Sequence, residues 1–312
     1  MHPTAAEKVE SPLNKVSIIV VNYNAGSLLL RCVENSLPQA YQLVIVDNAS
    51  VDNSMEGLVH AFGRNEKIKI IRNVSNLGFA AACNLGANIA TGDFILFLNP
   101  DCMATSGSVQ RLAQALSADA KAGMAGGLLL NRDGTEQVGG RRAMPTPWRS
   151  LVRALHLSAF KNQFPRLFAD FNLHKHPMPT EPTAVEAISG ACMMVKRAAM
   201  DSVGPWDNGY FLHCEDLDLC MRYSKKLWRV LFVPDAKFTH YQGACSRSRP
   251  VFVEWHKHKG MLRFYRKFFR HQYSLGLMWC VALGIALRFF AVLIHIQIYR
   301  LIAILNFERN ER

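Results

Sequence analysis

Short apolar runs alternate with amphipathic stretches along the first part of the chain. Four runs have the length and composition of strands that are buried on both faces: 16–21, 43–46, 68–71 and 94–98. The stretches between them are predicted as helices over about 27–37, 54–62 and 80–90. Strands that alternate with helices in this way predict an α/β fold, in which a mostly parallel sheet is flanked by helices.

The run at 94–98 stops abruptly at Asn99, Pro100 and Asp101. Proline cannot donate a hydrogen bond to a neighbouring strand, so the strand is predicted to end there. Open α/β sheets bind ligands beyond the carboxyl ends of their strands, which is where Asp101 is expected. A carboxylate there can hold a divalent cation, and the cation can hold a diphosphate. The alternative is a simple turn, because Asn-Pro-Asp is also ordinary turn chemistry.

Polar side chains follow the carboxyl ends of the predicted strands. They are Asn22, Asn24, Asp47, Asn48, Asn76, Asn99 and Asp101. Because these ends lie along one edge of the sheet, we expect the side chains to line one crevice. The sequence has no G-x-G-x-x-G after its first strand and no G-x-x-x-x-G-K. Hydride transfer with a dinucleotide and P-loop NTPase activity are therefore disfavoured.

The second half of the chain has a different pattern. Residues 141–182 are rich in Pro, Arg and His, which predicts a long loop with a short helix near 150–160. A strand is then predicted over 185–195, interrupted by the small residues Ser189 and Gly190. A glycine inside a strand permits the close approach of a ligand or of another backbone.

The densest acidic cluster is Glu215, Asp216 and Asp218, at the start of a stretch with helical spacing. Acidic side chains in a first helical turn are stabilised by the helix dipole, and we interpret Asp218 as an N-capping residue. Glu215 and Asp216 are adjacent carboxylates that also suit proton abstraction. His240 follows a further strand predicted at 228–233. A lone histidine there is more often structural than a ligand, but its position after the acidic cluster favours a role in the site.

Composition narrows the classes of partner. The chain has 312 residues, is 50% hydrophobic and carries a formal net charge of +12. That charge favours a polyanionic partner, meaning nucleic acid, an anionic membrane or a phosphorylated substrate. The 8 cysteines form no C-x-x-C pair, which indicates reduced thiols rather than a zinc or redox motif. The polar first fifteen residues contain no apolar signal-peptide core, so a cytoplasmic location is expected.

Several motifs, in this order, resemble those of the family-2 glycosyltransferases, which have the GT-A fold. They are VVNYN at 20–24, VDNAS at 46–50, NLGFA at 76–80, LNPD at 98–101, SGAC at 189–192, CEDLD at 214–218, and His240 with Gly243 and Ser246. Within that family the chain resembles the bacterial rhamnosyltransferases of cell-surface polysaccharide synthesis. The resemblance covers about 16–249, and motifs that occur together in order are more specific than any one of them.

The resemblance implies an inverting glycosyltransferase that uses a dTDP- or UDP-sugar donor and a lipid-linked or glycan acceptor in cell-envelope synthesis. The residues implied in donor binding are Asn22, Asn24, Asp47, Asn48, Asn76, Gly78, Phe79, Asn99, Ser189, Gly190 and Arg247. Among these, Asp47 matches the residue that hydrogen-bonds the nucleotide base. Arg247, together with Arg249, would also place positive charge near the leaving diphosphate.

The resemblance also implies a divalent metal, Mn²⁺ or Mg²⁺, held by Asp101 and His240. Asn99 stands where the fullest form of the D-x-D motif has aspartate, and a neutral oxygen ligand is expected to bind the metal more weakly. Asp216 matches the catalytic base of inverting members. Glu215 beside it is a like charge, which raises the proton affinity of one of the two carboxylates.

The last third of the chain combines basic, aromatic and apolar residues. Basic and aromatic residues interleave over 247–271, which is typical either of a membrane-surface helix or of a helix packed on the α/β domain. The apolar stretch 275–305 is interrupted by Arg288, which would be costly at the centre of a bilayer. We therefore favour helices that lie in the membrane interface, with a hairpin or an oligomer-forming helix as alternatives.

The predicted organisation is a loose tail (1–14), a catalytic domain (15–249) and membrane-associating helices (250–312). Within the catalytic domain, 15–131 would bind the donor and 132–249 the acceptor. The protein would be peripheral on the inner face of the cell membrane, where an anionic surface attracts the basic charge. The alternatives are a basic nucleic-acid-binding protein, for which no recognition motif is present, and another nucleotide-sugar enzyme of the same fold, such as a nucleotidyltransferase.

Overall fold

The computed structural model describes residues 15–154, 164, 173–243 and 249–310. Three predictions fall outside the described residues. They are the loose tail 1–14, the end of the helix predicted at 150–160, and the positions of the motif residue Ser246 and of Arg247.

Strands and helices alternate in the first half of the chain, as the apolar pattern predicts. They are β1 (Val16–Asn22), α1 (Ser27–Ser36), β2 (Gln42–Asp47), α2 (Ser54–Phe62), β3 (Ile68–Arg72), α3 (Phe79–Ile89) and β4 (Phe94–Leu98), with a short 3-10 helix (Leu37–Gln39) after α1. Every residue of β1, β2 and β4 is buried. β1 and β2 end on the polar residues Asn22 and Asp47, and β4 ends directly before Asn99, as expected for the sheet edge.

The second half of the chain has shorter strands and two long helices at its end. Its elements are β5 (Cys102–Ala104), α4 (Ser108–Ala118), β6 (Ala122–Leu130), β7 (Arg141–Arg142), α5 (Pro147–Ala154), β8 (Thr183–Val185), β9 (Ala187–Ile188), β10 (Cys192–Lys196), α6 (Arg197–Val203), α7 (Glu215–Lys225), β11 (Arg229–His240), α8 (Pro250–Phe269) and α9 (Leu275–Asn310). The single strand predicted over 185–195 is three strands. The strand predicted at 228–233 continues to His240, which is therefore held by strand pairing.

In the part of the chain that the structure describes, nine strands form one sheet. The order is β3-β2-β1-β4-β10-β6-β11-β5, with β8 also paired to β11. The half from β3 to β4 is parallel, as predicted, whereas β10 runs antiparallel to both β4 and β6. A separate two-stranded pair joins β7 to β9. The carboxyl ends of β1, β2 and β4 consequently lie together at one edge.

Both faces of the sheet are covered by apolar side chains. Because successive side chains of a strand point to opposite faces, Ile18 and Leu96 lie in one buried cluster, and Ile19 and Phe97 in the other. The ring of Trp206 packs edge-on against Phe97, with 5.0 Å between the ring centroids. The sheet edge is thus a rigid support for the residues that follow the strands.

Helix α8 packs on the catalytic domain through its apolar face and through an ion pair with the buried Asp218 of α7. Phe264 and Phe268 are buried in the second of these clusters. Lys267 Nζ of α8 lies 2.6 Å from Asp218 Oδ2, while within α7 Arg222 Nε lies 2.7 Å from Asp218 Oδ1. The interpretation of Asp218 as an N-capping residue is wrong, since α7 has no side-chain cap. Asp218 is the fourth residue of α7, so its side chain points towards α8 and not back at the helix end.

Helix α9 is continuous, which excludes the hairpin within 275–305. It leans on α8, with 5.6 Å between the ring centroids of Phe289 and Trp255. Among the described residues, Leu275–Tyr299 is the one segment long and apolar enough to cross a membrane, with a mean hydropathy of 2.3 and 6% of its best window buried. This finding rests on length and composition alone.

Candidate active site

A cavity of about 740 Å³ opens at the carboxyl ends of β1 and β4. The predicted site residues that line it are Asn48, Asn76, Gly78, Phe79, Asn99, Asp101, Ser189, Gly190, Glu215, Asp216 and His240. They come from segments that are far apart in sequence and belong to both halves of the domain. A crevice is therefore present at the strand ends, and Glu215 and Asp216 of α7 line it.

Asn22, Asn24 and Asp47 lie at the same edge of the sheet but do not line this cavity. Asn22 Nδ2 donates to Asp47 Oδ1 at 2.9 Å, in a buried position. Asn24 Oδ1 accepts a hydrogen bond from Val51 N at 2.8 Å. These side chains therefore fix the loops after β1 and β2, and their contact with a donor stays a prediction.

The loop before α3 is clamped to the segment that leads into α7. Gly78 N donates to Asn76 Oδ1 at 2.9 Å, and Asn48 Nδ2 donates to Gly78 O at 3.2 Å. Gly78 has φ +85°, and a Cβ at this position would lie 2.6 Å from Phe211 O. Phe79 N also donates to Phe211 O, at 2.8 Å. Any larger residue at 78 would push apart two walls of the cavity.

Asp101 and His240 meet at the floor of the cavity, as the resemblance implies. His240 Nε2 lies 3.1 Å from Asp101 Oδ1, and both side chains are less than a tenth exposed. On the other side of the ring, His240 Nδ1 lies 2.6 Å from Gln137 Oε1. Gln137 was not identified from the sequence, since nothing in its surroundings signals that β6 and β11 would bring it to His240.

The donor set of Asp101 and His240 fits a divalent cation. Two ligands bound side by side to one ion at about 2.1 Å are roughly 3 Å apart, and the two facing atoms are separated by 3.1 Å. Carboxylate oxygen and imidazole nitrogen both bind Mn²⁺-like ions. The described residues contain no group of three or more such side chains. Water and substrate phosphate oxygens would complete the coordination, as is usual for Mg²⁺.

The Asp216 carboxylate is held by donors from three segments. Its Oδ2 is paired with Arg142 and accepts from Gly190 N at 3.1 Å, while Oδ1 accepts from Leu217 N at 2.8 Å. Arg142 also donates to Ile188 O at 3.3 Å, so the β7–β9 pair fixes the guanidinium. Desolvation is the largest single effect and opposes the charge of Arg142, but the charge of Asp216, its hydrogen bond and the nearby Cys220 and Cys214 together outweigh it and raise the pKa of Arg142.

Glu215 has a different environment from its neighbour. It is 7% exposed, and its Oε2 has no hydrogen-bond partner. Burial, with a further contribution from the charge of Asp216, raises the pKa of Glu215 to about 8. The site therefore combines a carboxylate held by donors with a neighbouring carboxyl group that is largely protonated near pH 7. The two residues before Glu215, His213 and Cys214, both have positive φ, an uncommon conformation that is found at active sites.

Aromatic side chains line the end of the cavity that faces α8. The ring centroids of Phe211, Phe252 and His256 lie between 4.4 and 5.5 Å apart. Arg249, at the start of α8, is exposed and also lines the cavity. The basic and aromatic composition of this segment is evident from the sequence. It did not place the first turns of α8 at the cavity, because that depends on the packing of α8 against α7.

Comparison with known proteins identifies the family. The model of "Glycosyl transferase family 2" matches residues 17–204, more than half of the chain, and that of "Glycosyl transferase family group 2" matches 143–307. Among curated proteins, the N-acetylglucosaminyl-diphospho-decaprenol L-rhamnosyltransferase of Mycobacterium tuberculosis is 26% identical over 287 residues, which are 87% of this chain and 90% of that protein. The rhamnosyltransferase WbbL of Escherichia coli K12 is 26% identical over 251 residues, covering 75% and 86% of the two chains.

A solved structure shares the fold. The mannosyltransferase PcManGT from Pyrobaculum calidifontis, in complex with GDP-Man and Mn²⁺, superposes with a TM-score of 0.55 at 16% identity. The match covers 87% of this chain and 68% of that protein. The GT-A fold expected from the sequence is thereby confirmed.

Proposed function

This chain belongs to glycosyl transferase family 2, and on that premise we propose that it transfers a sugar from a nucleoside-diphosphate donor to a lipid-linked acceptor, with inversion, in cell-envelope glycan synthesis. The observation that carries the proposal is the arrangement of one cavity, which combines the Asp101–His240 pair with the Asp216 carboxylate. Both curated relatives are rhamnosyltransferases, and the name of the mycobacterial one specifies an acceptor linked to decaprenyl diphosphate. A rhamnosyl donor, carried by dTDP or UDP, is the candidate they support.

The donor nucleotide would bind at the carboxyl ends of β1 and β2. Asn48, Asn76 and Phe79 line this end of the cavity, and the amide groups of Asn48 and Asn76 fix the loop at Gly78. Asp47 lies at the same edge of the sheet, outside the lining of the cavity, and would hydrogen-bond the nucleotide base there. The donor-binding half of the domain would then be 15–131, as the sequence suggests.

Asp101 Oδ1 and His240 Nε2 would hold the divalent cation. When bound, a Mn²⁺ or Mg²⁺ ion would neutralise the charge of the leaving diphosphate. Asn99 would contribute only a neutral oxygen. The solved mannosyltransferase of the same fold contains Mn²⁺ with its donor, which supports this assignment.

Asp216 would take the proton from the acceptor hydroxyl. Its carboxylate lines the cavity, and Arg142 and the backbone of Gly190 hold it in one orientation. A fixed orientation matters, because proton transfer in the transition state needs hydrogen-bond geometry. Glu215, protonated and buried beside it, would keep a second negative charge away from the base. Since Asp216 would act as a base and attack no carbon, displacement would be single and would invert the anomeric configuration.

The acceptor would enter from the side of α8. Phe252 and His256 present ring faces there, and Arg249 supplies an exposed cation suited to an acceptor phosphate. The acceptor half would then include 132–249 together with the first turns of α8. The catalytic domain would therefore not end at the predicted boundary of 249, because the first turns of α8 would belong to the acceptor site.

We place the protein on an anionic membrane surface, on the cytoplasmic side, with α9 lying in the interface. The face of α9 that points away from the domain exposes Leu275, Trp279, Leu283, Leu287, Ile294 and Ile298. Arg266 and Arg270 of α8 are exposed and adjoin Leu275 and Trp279. Basic residues beside an apolar stripe complement anionic lipid headgroups. Helix α9 packs against α8 through the contact of Phe289 with Trp255, and α8 packs on the domain, so the part of α9 beside α8 would lie close to the protein surface.

A donor screen tests the proposed function. The full-length protein is incubated with Mn²⁺, a panel of dTDP- and UDP-sugars, and N-acetylglucosaminyl diphosphate linked to a short polyprenol. We expect acceptor-dependent release of nucleoside diphosphate, largest with dTDP-rhamnose. If no sugar of the panel is transferred, the proposed function is wrong; if another sugar is preferred, only the rhamnosyl assignment is.

A further inference from the structure

Gln137 lies in the loop that joins β6 to β7, and its side chain contacts three polar groups. It is 4% exposed, and its Oε1 lies 2.6 Å from His240 Nδ1. Its Nε2 donates to the backbone oxygen of His240 at 3.4 Å and to Asn131 Oδ1 at 3.2 Å.

These contacts determine which atom of the imidazole carries hydrogen. A backbone carbonyl only accepts hydrogen bonds, so the amide nitrogen of Gln137 must face His240 O. The amide oxygen then faces Nδ1 and also only accepts, so Nδ1 must be the donor. In the neutral ring this leaves the lone pair on Nε2, which is the atom 3.1 Å from Asp101 Oδ1. A lone pair and a carboxylate facing each other at this distance are stabilised by a cation between them.

We propose that Gln137 is a positioning residue that holds His240 in the Nδ1–H tautomer and directs Nε2, with Asp101, at a divalent cation. The inference rests on the proposed metal-dependent transfer. Histidine ligands commonly donate their second ring N–H to a partner of this kind, and loss of such a partner weakens metal affinity by about 10- to 100-fold. Gln137 would thus set the affinity for the metal without touching it.

A purely structural role of Gln137 in its loop can be separated from this one. Gln137 N donates to Leu129 O at 2.8 Å, and Gly140 N donates to Gln137 O at 3.2 Å. These backbone bonds survive substitution of the side chain. Val138, the next residue, is 54% exposed and lines the same cavity, so it provides a matched control in the same loop.

The test measures Mn²⁺ binding to the full-length protein by the electron paramagnetic resonance signal of free Mn²⁺. Gln137→Leu should raise the Kd for Mn²⁺ by about 10- to 100-fold. Gln137→Glu keeps an acceptor at Nδ1 and should stay within about threefold of wild type, as should Val138→Ala. Nitrogen-15 spectra of the neutral His240 ring in metal-free protein should show the proton on Nδ1 in wild type. In Gln137→Leu it should move to Nε2, which faces Asp101.

The proposal is overturned if wild type binds no Mn²⁺, if Gln137→Leu binds it as wild type does, or if Leu and Glu weaken it equally. It is also overturned if the His240 tautomer is the same in wild type and Gln137→Leu. Sugar transfer in the donor screen is a separate measurement. Transfer that persists while Gln137→Leu leaves Mn²⁺ affinity unchanged would reject the role of Gln137 and keep the proposed function.

Discussion

The stability of the protein should fall as the pH rises from about 5 to 8, because of Glu215. Burial and the charge of Asp216 raise the pKa of Glu215 from 4.5 to about 8. Between these values the folded protein keeps a proton that the unfolded chain has released. The free energy of unfolding therefore decreases with pH, by at most about 1.4 kcal/mol per pH unit for one proton. Below pH 4.5 both states hold the proton, and this source of pH dependence disappears.

Glu215→Gln isolates this effect, since glutamine imitates the protonated side chain at every pH. Urea unfolding at pH 5, 6, 7 and 8 gives the free energy of unfolding for wild type and variant. Other titrating groups contribute to both proteins, so the difference between them reports Glu215. We expect the variant to gain about 2 to 4 kcal/mol relative to wild type between pH 5 and pH 8. Glu66→Gln, on an exposed loop, is the control and should show no such gain. If the Glu215→Gln and wild-type curves stay parallel, Glu215 is ionised in the folded protein and the reasoning fails.

Two further predictions concern the metal and the membrane. Asp101→Ala and His240→Ala should each weaken Mn²⁺-dependent donor binding, measured by calorimetry, because each removes one of the two protein ligands; undiminished binding and activity with chelator present would remove the metal from the account. The double variant Leu283→Glu and Leu287→Glu should lower the affinity for phosphatidylserine vesicles, measured by sedimentation, at least tenfold. Each leucine that is buried in the membrane interface would contribute roughly 1.5–3 kcal/mol to binding. Leu227→Glu is the control, because this apolar side chain is 86% exposed and lies after the end of α7, away from α9 in sequence. Vesicle binding that survives the changes in α9 would assign the apolar stripe to another partner.

The half of the fold that we propose to bind the donor is predictable from sequence for a simple reason. Strands buried on both faces, such as β1 and β4, must be continuous apolar runs, and helices on both faces follow from the βαβ connections. Asp101 is found because it directly follows such a strand. His240, the proposed second metal ligand, is identified through resemblance, and its placement at the end of a strand comes from the pairing of β11 with β5.

The remaining parts of the site depend on contacts between distant segments. Arg142 reaches Asp216 because β7 pairs with β9, which lies 46 residues further along the chain. Gln137 reaches His240 across 103 residues. Neither pairing has a local sequence signal, because two-residue strands and loops carry no periodicity. For Asp218 the local signal was misleading. Its position in a first helical turn indicated a cap, but in the packed structure it is buried and forms ion pairs with Arg222 and with Lys267 of α8.

The substitution Asp216→Asn shows directly whether Asp216 takes the proton of the acceptor hydroxyl. Asparagine keeps the shape, and its one carbonyl oxygen can still accept from Arg142 and Gly190 N. Its amide NH2 cannot accept from Leu217 N, and it cannot act as a base. Turnover of the donor and acceptor found in the screen is measured at saturating Mn²⁺, with donor affinity measured separately and folding checked by thermal unfolding. We predict a folded variant with donor affinity within a few-fold of wild type and turnover lower by about 100-fold or more. Turnover within a few-fold of wild type would contradict the account and place the base elsewhere, with Glu215 the next residue to test.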